Sequence, residues 1–139
     1  MTALGADWAS GCWVVVTVDD DVTITTEPAM CTLWAAHGDA ERALVDVPIG
    51  LPETPGRECD AAAAARLGDR HSSVFAVPCR AAVEADGYGA AREANGDSLG
   101  SQSWGFVPQI REVDRFLDAH PEAEARIYES HPEVNVRHL

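Results

Sequence analysis

The sequence predicts an α/β fold built on a mixed sheet, and three features predict it: a β-rich start with tight turns, a helical crossover into a further strand, and helical segments before a last short strand. Residues 3–7 form a short apolar segment that ends on Asp7, followed by a turn-like Trp8-Ala9-Ser10-Gly11. Cys12-Trp13-Val14-Val15-Val16-Thr17-Val18 is β-branched and nearly continuous, which predicts a strand covered on both faces. Asp19-Asp20-Asp21 supplies a hairpin turn, because short acidic side chains bond their own backbone there. Val22, Ile24 and Thr26 alternate with Thr23, Thr25 and Glu27, the pattern of a half-buried strand near a sheet edge, and Pro28 ends it.

Met30 to Ala40 reads as a short helix, and Arg42 to Val47 as a fourth strand stopped by Pro48 and Gly50. A strand that arrives after a helical crossover can pair in parallel with an earlier one. Residues 57–67 are helical by the alanine run 61–65, with Gly68 closing them. Further helical stretches are expected over 79–95, and another over 108–119, where Val107, Ile110, Val113, Phe116 and Leu117 recur at helical spacing. Residues 126–130 read as the fifth strand, ended by His131-Pro132. The length of 139 residues is that of a single domain, expected over 1–139, and no run approaches the roughly 20 apolar residues of a membrane span. No secretory leader is read at the start, so the expected compartment is the cytoplasm.

Charge narrows the partners. The chain carries 23 acidic residues against 10 basic ones, a net charge of -13, and every basic residue is Arg. A folded chain of this mass exposes roughly 7,000 Å², or about 540 Å² per excess negative charge. Such self-repulsion destabilises the compact state in dilute buffer and is screened within about 3 Å in molar salt. The composition therefore points to a salt-loving host. It also argues against tight, salt-sensitive gripping of nucleic acid, which draws its free energy from phosphate neutralisation by basic residues, so any nucleic-acid contact is expected to be weak or transient. Cys12, Cys31, Cys59 and Cys79 are widely spaced, and are expected as reduced, mostly buried thiols rather than a zinc set.

Chemistry gathers at strand ends. Asp7 closes the first strand, and Asp46 lies in Val45-Asp46-Val47-Pro48-Ile49-Gly50-Leu51 at the end of the fourth. If those strands are neighbours, the two carboxylates come together, and such a pair favours a hard divalent ion of the Mg²⁺ or Mn²⁺ type, as metal-assisted phosphodiester hydrolysis requires. The structural alternative is that Asp7 caps the turn and Asp46 pairs with an arginine. Glu129 and Glu133 stand at the exit of the fifth strand as further candidate carboxylates, with His131 between them. Glu112 and Asp114, on the helix expected over 108–119, read equally as a solvated face or as arginine partners. Arg57, Arg66, Arg80 and Arg111 could hold a phosphate bidentately or pair with the many acids.

A set of ordered blocks carries a resemblance: Gly5-Ala6-Asp7 with Gly11-Cys12-Trp13, Val45 to Leu51, Gly56-Arg57-Glu58-Cys59-Asp60 with Ala65-Arg66-Leu67-Gly68, Ser72-Ser73-Val74-Phe75, Ile110-Arg111-Glu112-Val113-Asp114, and Glu129-Ser130-His131-Pro132-Glu133-Val134. In these blocks the chain resembles the domain of unknown function 429, a family described as a predicted nuclease of RNase H-like fold. The resemblance implies a five-stranded sheet of order 3-2-1-4-5 with flanking helices. It implies a two-metal site in which Asp7 and Asp46 are ligands, Glu129 or Glu133 is a third ligand or water-orienting base, and Arg57 and Arg66 contact phosphate. Members of this family usually continue past the His-Pro-Glu block into a helical region with a further acidic motif. The expectation is thus a member short at its C-terminus, with its last helix and last acid missing, Gln109 where a lysine is common, and Ala6 where a larger residue is common.

Three functions are consistent with these readings: a divalent-metal-dependent nuclease, an inert fold that binds a partner or dimerises through an uncovered sheet face, and a hydrolase or transferase acting on a small phosphorylated metabolite. The charge reading makes the first prediction: the midpoint of thermal unfolding rises from low to molar KCl, and a flat response removes the inference of a salt-loving host.

Overall fold

The computed structural model describes residues 1–136. They form two compact units, Met1–Ile49 with Glu112–Ser130, and Gly50–Arg111 with the stretch that starts at His131.

The first unit holds the sheet. Its strands are β1 (Ala3–Ala9), β2 (Cys12–Val18), β3 (Val22–Glu27), β4 (Arg42–Val45) and β5 (Ile127–Glu129), arranged β3-β2-β1-β4-β5. The first three pair antiparallel, while β1–β4 and β4–β5 are parallel, so the sheet is mixed and has the order the resemblance implies. β1 extends two residues past Asp7, and the β1–β2 turn is confined to Ser10 and Gly11, both at positive φ (54° and 83°), the conformation that suits a tight hairpin. At the next turn Asp19 Oδ1 accepts the Asp21 N–H at 3.0 Å, the local bond that favours aspartate there.

Burial is one-sided. Leu4 and Ala6 of β1, Trp13 and Val15 of β2, Ala43 and Val45 of β4 and Ile127 of β5 are buried on one face, together with Met30 and Leu33 of α1 (Met30–His37) and with Val113 and Phe116. Their neighbours along each strand point the other way and stay in water: Val18, Val22, Ile24, Leu44 and Tyr128 are all exposed. This corrects two expectations. β2 is fully buried on one face only, its other face being half-buried at Cys12, Val14 and Val16, and β3 is an edge strand as expected but is not half-buried, because its apolar alternate residues lie on the wet face.

Between β3 and β4, α1 makes the crossover that lets β4 run parallel to β1. Its N-cap is Ala29, which has no side-chain oxygen to receive the orphan N–H groups of the first turn. Glu112 supplies the acceptor from outside: Oε1 takes the Met30 N–H at 2.6 Å, and Oε2 takes the indole N–H of Trp13 at 3.2 Å. At the other end Arg126 Nη1 donates to the carbonyls of Gly38 (2.7 Å) and Ala40 (3.1 Å), with its guanidinium 4.8 Å from the Trp34 ring centroid.

The second unit is helical. It contains α2 (Glu58–Leu67), a 3-10 helix (Gly68–Ser73), α3 (Arg80–Glu84) and α4 (Tyr88–Ala94). Cys79, Ala82, Ala91 and Leu99 form its core cluster, with Trp104 against them. Asn95, a buried polar side chain, is satisfied by accepting the Cys79 N–H at 2.9 Å. Arg111 is likewise spent on structure, donating to the Val83 and Ala85 carbonyls at the end of α3.

α5 (Ser101–Ala119) starts seven residues before the stretch read from the sequence, with Pro108 inside it. Proline costs a helix interior one hydrogen bond, and the apolar positions Val107 and Ile110 on either side are buried enough to carry the helix through it. α6 (Pro121–Glu124) and α7 (Pro132–Val136) complete the described chain. All four cysteines are free, but only Cys79 is buried; Cys12 is partly exposed and Cys31 and Cys59 are exposed, a correction to the expectation of mostly buried thiols.

Glu112→Ala removes one acceptor from two donors, so the unfolding free energy falls by about 2 kcal/mol. Denaturant titration checks this as a lower midpoint at unchanged slope.

Candidate functional site

Backbone register builds the site. Ala6 of β1 is the partner of Val45 of β4, and the parallel ladder runs one step further, with the Asp46 N–H donating to the Ala6 carbonyl at 3.0 Å. Asp7 and Asp46 are therefore lateral neighbours, on strands about 4.8 Å apart. Because Ala6 and Val45 are buried, the residues that follow them point to the opposite, uncovered face, and both carboxylates are exposed there. The same counting continues across the sheet: Val14 of β2 is opposite Asp7, and the Ser130 N–H bonds the Val45 carbonyl at 2.8 Å, which puts Ser130 beside Asp46. The row across this face thus reads Thr26, Val14, Asp7, Asp46, Ser130.

Two carboxylates side by side in water repel by about 1 kcal/mol, so the fold tolerates the pair as it stands. The donor set fits a hard cation that takes two carboxylates and keeps several waters, as Mg²⁺ does. It does not fit a cage of protein ligands: among the described residues no group of three or more His, Cys, Asp or Glu side chains is gathered where a metal could sit.

The remaining candidates lie elsewhere. Glu129 stands at the same carboxyl edge, but it pairs with Val45 and so has the opposite strand parity to Asp46; it is exposed there, and its Oε2 accepts the Ile49 N–H at 2.9 Å. The carboxylate thereby braces the loop that follows Asp46. Glu133 belongs to the second unit and to α7, and its Oε2 lies 3.2 Å from Nδ1 of His131, an ion pair when the imidazole is protonated. Arg57 also belongs to the second unit. Its Nε and Nη2 grip both oxygens of Asp60 at 2.9 and 2.7 Å, with the guanidinium largely buried, so its fork already holds a carboxylate. That pair is on the wall of an open cavity of about 340 Å³ whose other walls include Val74, Phe75 and Leu99; its charges cancel, which suits an uncharged occupant better than a phosphate. Arg66 is exposed on α2 in the same unit.

Two residues on the uncovered face escape a reading by motif. Ser130 offers a neutral oxygen beside Asp46. Arg42, four positions before Asp46 on the same strand and so on the same face, is exposed and has no ion-pair partner among the described residues. The signal for both was present as strand parity (42, 44, 46 and 128, 130), but it becomes usable only once the register is known.

No curated protein and no solved structure matches the chain. A family model does, described as a protein of unknown function, and it covers residues 5–139. That match takes in β1 and its acid, the crossover, and both units of the fold, and the chain belongs to the DUF429 family.

Proposed function

We propose that the chain is a divalent-metal-dependent phosphodiester hydrolase of RNase H-like type, with Asp7 and Asp46 as its metal ligands. The observation that carries the reading is the bond from the Asp46 N–H to the Ala6 carbonyl, since it makes the two carboxylates neighbours on an open face that a polymer can approach. A divalent cation supplies Lewis acidity at the phosphoryl oxygen. Asp7 and Asp46 hold it at the sheet surface, and Ser130 offers a hydroxyl to the same side. Glu129 acts as a positioning residue, because its bond to Ile49 fixes the backbone just after Asp46. Arg42, roughly 13 Å along β4 from Asp46, faces a neighbouring phosphate of the same strand of substrate. The contact is weak, because one guanidinium stands on a face of a chain whose net charge is -13.

Calorimetric titration with Mn²⁺ in molar KCl tests the metal site: the chain as it stands binds, and Asp7→Asn and Asp46→Asn each lose binding. Cleavage of a labelled oligonucleotide tests the reaction. Both substitutions reduce it by more than the roughly 10- to 100-fold that supporting residues around a metal cost, whereas Glu129→Gln stays within that range. Mn²⁺ binding retained in both aspartate variants sinks the reading. Binding lost together with cleavage of small phosphodiesters only moves the substrate to phosphorylated metabolites.

A further inference from the structure

The open cavity of about 340 Å³ in the helical unit is lined by residues between 55 and 103, so it lies within one unit of the fold. Part of its wall is one face of α2: Arg57 at the N-cap, then Asp60, Ala61 and Ala64 recur at helical spacing. Two of these are alanines, and the space exists because no longer side chain stands there. Val74, Phe75 and Leu99 supply apolar surface, and Phe75 meets Phe106 edge to face at 5.6 Å. Two polar side chains share the lining. Asn95 is 6% exposed; its Oδ1 is taken by the Cys79 N–H, whereas its Nδ2 has one long contact, 3.5 Å to Ser98 Oγ, and so keeps donor capacity. Asp60 takes one bond from Arg57 on each carboxylate oxygen, and its side chain is 19% exposed, so it can accept a further donor.

We infer that this cavity binds a neutral heteroaromatic ring of nucleobase type, with its apolar faces against Phe75 and Leu99 and its polar edge on Asp60 and Asn95. The lining selects this chemistry. Arg57 and Asp60 cancel each other, and among the described residues no other Asp, Glu or Arg lines the cavity, so neither a phosphate nor an ammonium group finds a free counter-charge. The apolar walls require an apolar body, while a carboxylate that accepts and an amide that donates require a donor and an acceptor on the same molecule. An aliphatic ligand meets only the first requirement and a sugar only the second. A nucleobase meets both, and proteins read such rings by hydrogen bonds to the polar edge and by contact of the faces with aromatic and apolar side chains. The volume is at the small end of the roughly 300–1,000 Å³ of ligand cavities, which sets the occupant at about one nucleoside. The inference is independent of the hydrolase reading, because Asp7 and Asp46 belong to the other unit.

Isothermal calorimetry with adenosine, guanosine, cytidine and uridine tests it, in molar KCl with EDTA present so that the metal site plays no part. At least one nucleoside binds, and its 5′-monophosphate binds no more tightly. Ala61→Leu and Ala64→Leu fill the cavity from α2, so each weakens that binding by about tenfold or more, with a thermal midpoint that is unchanged or raised. Ala62→Leu, exposed on the same helix and away from the cavity, binds as wild type does. Absence of binding by all four nucleosides at millimolar concentration overturns the proposal. So does a monophosphate that binds about tenfold more tightly than its nucleoside, and so do leucine variants at 61 and 64 that both bind as well as wild type.

Discussion

The crossover helix α1 is clamped at both ends by side chains from far along the chain, and the arrangement of the sheet depends on that clamp. Glu112 accepts from the first helical N–H, and Arg126 donates to the carbonyls just past the last turn. Each charge complements the partial charge of the helix end it touches, negative at the start and positive at the finish. With α1 so anchored, β4 is delivered alongside β1 rather than beyond β3. Every feature of the candidate site follows from that adjacency, because a one-residue slip of β4 would turn Asp46 inward and Val45 outward.

One-sided burial is the second organising fact. The sheet has two faces and the helices of its unit cover one, so residues of the same strand have opposite fates: Trp13 is fully buried while Val18, five residues on, is in water. The uncovered face holds the acid pair at one end and an uncharged aliphatic strip at the other.

Much of this was legible in the sequence. The β-branched opening, the aspartate turn, the Pro48 stop and the apolar period through Val113 and Phe116 give the strands and helices to within a few residues, because each rests on local steric preferences. The adjacency of Asp7 and Asp46 was legible as well, since a helical crossover favours parallel pairing. Burial of β3 was not, because alternation marks two faces without saying which one the rest of the chain covers. The role of Glu112 was hidden for a related reason: an acid three residues before Arg115 on a helix reads as a solvated position, and only the fold brings Met30 and Trp13 to it. The contacts of Glu129 with Ile49 and of Arg57 with Asp60 were not legible, because they depend on backbone direction at a strand exit and at a helix start.

The indole of Trp13 is fully buried, donates to Glu112 and meets Trp8 edge to face at 5.4 Å, while Trp104 lies against the core of the helical unit. Each half of the protein thus carries its own intrinsic fluorophore. Emission from positions 8, 13 and 34 is quenched or shifted by events in the unit that holds the sheet, and that from position 104 by events among the helices of the other, so single-tryptophan versions can report the melting of the halves separately without any added dye.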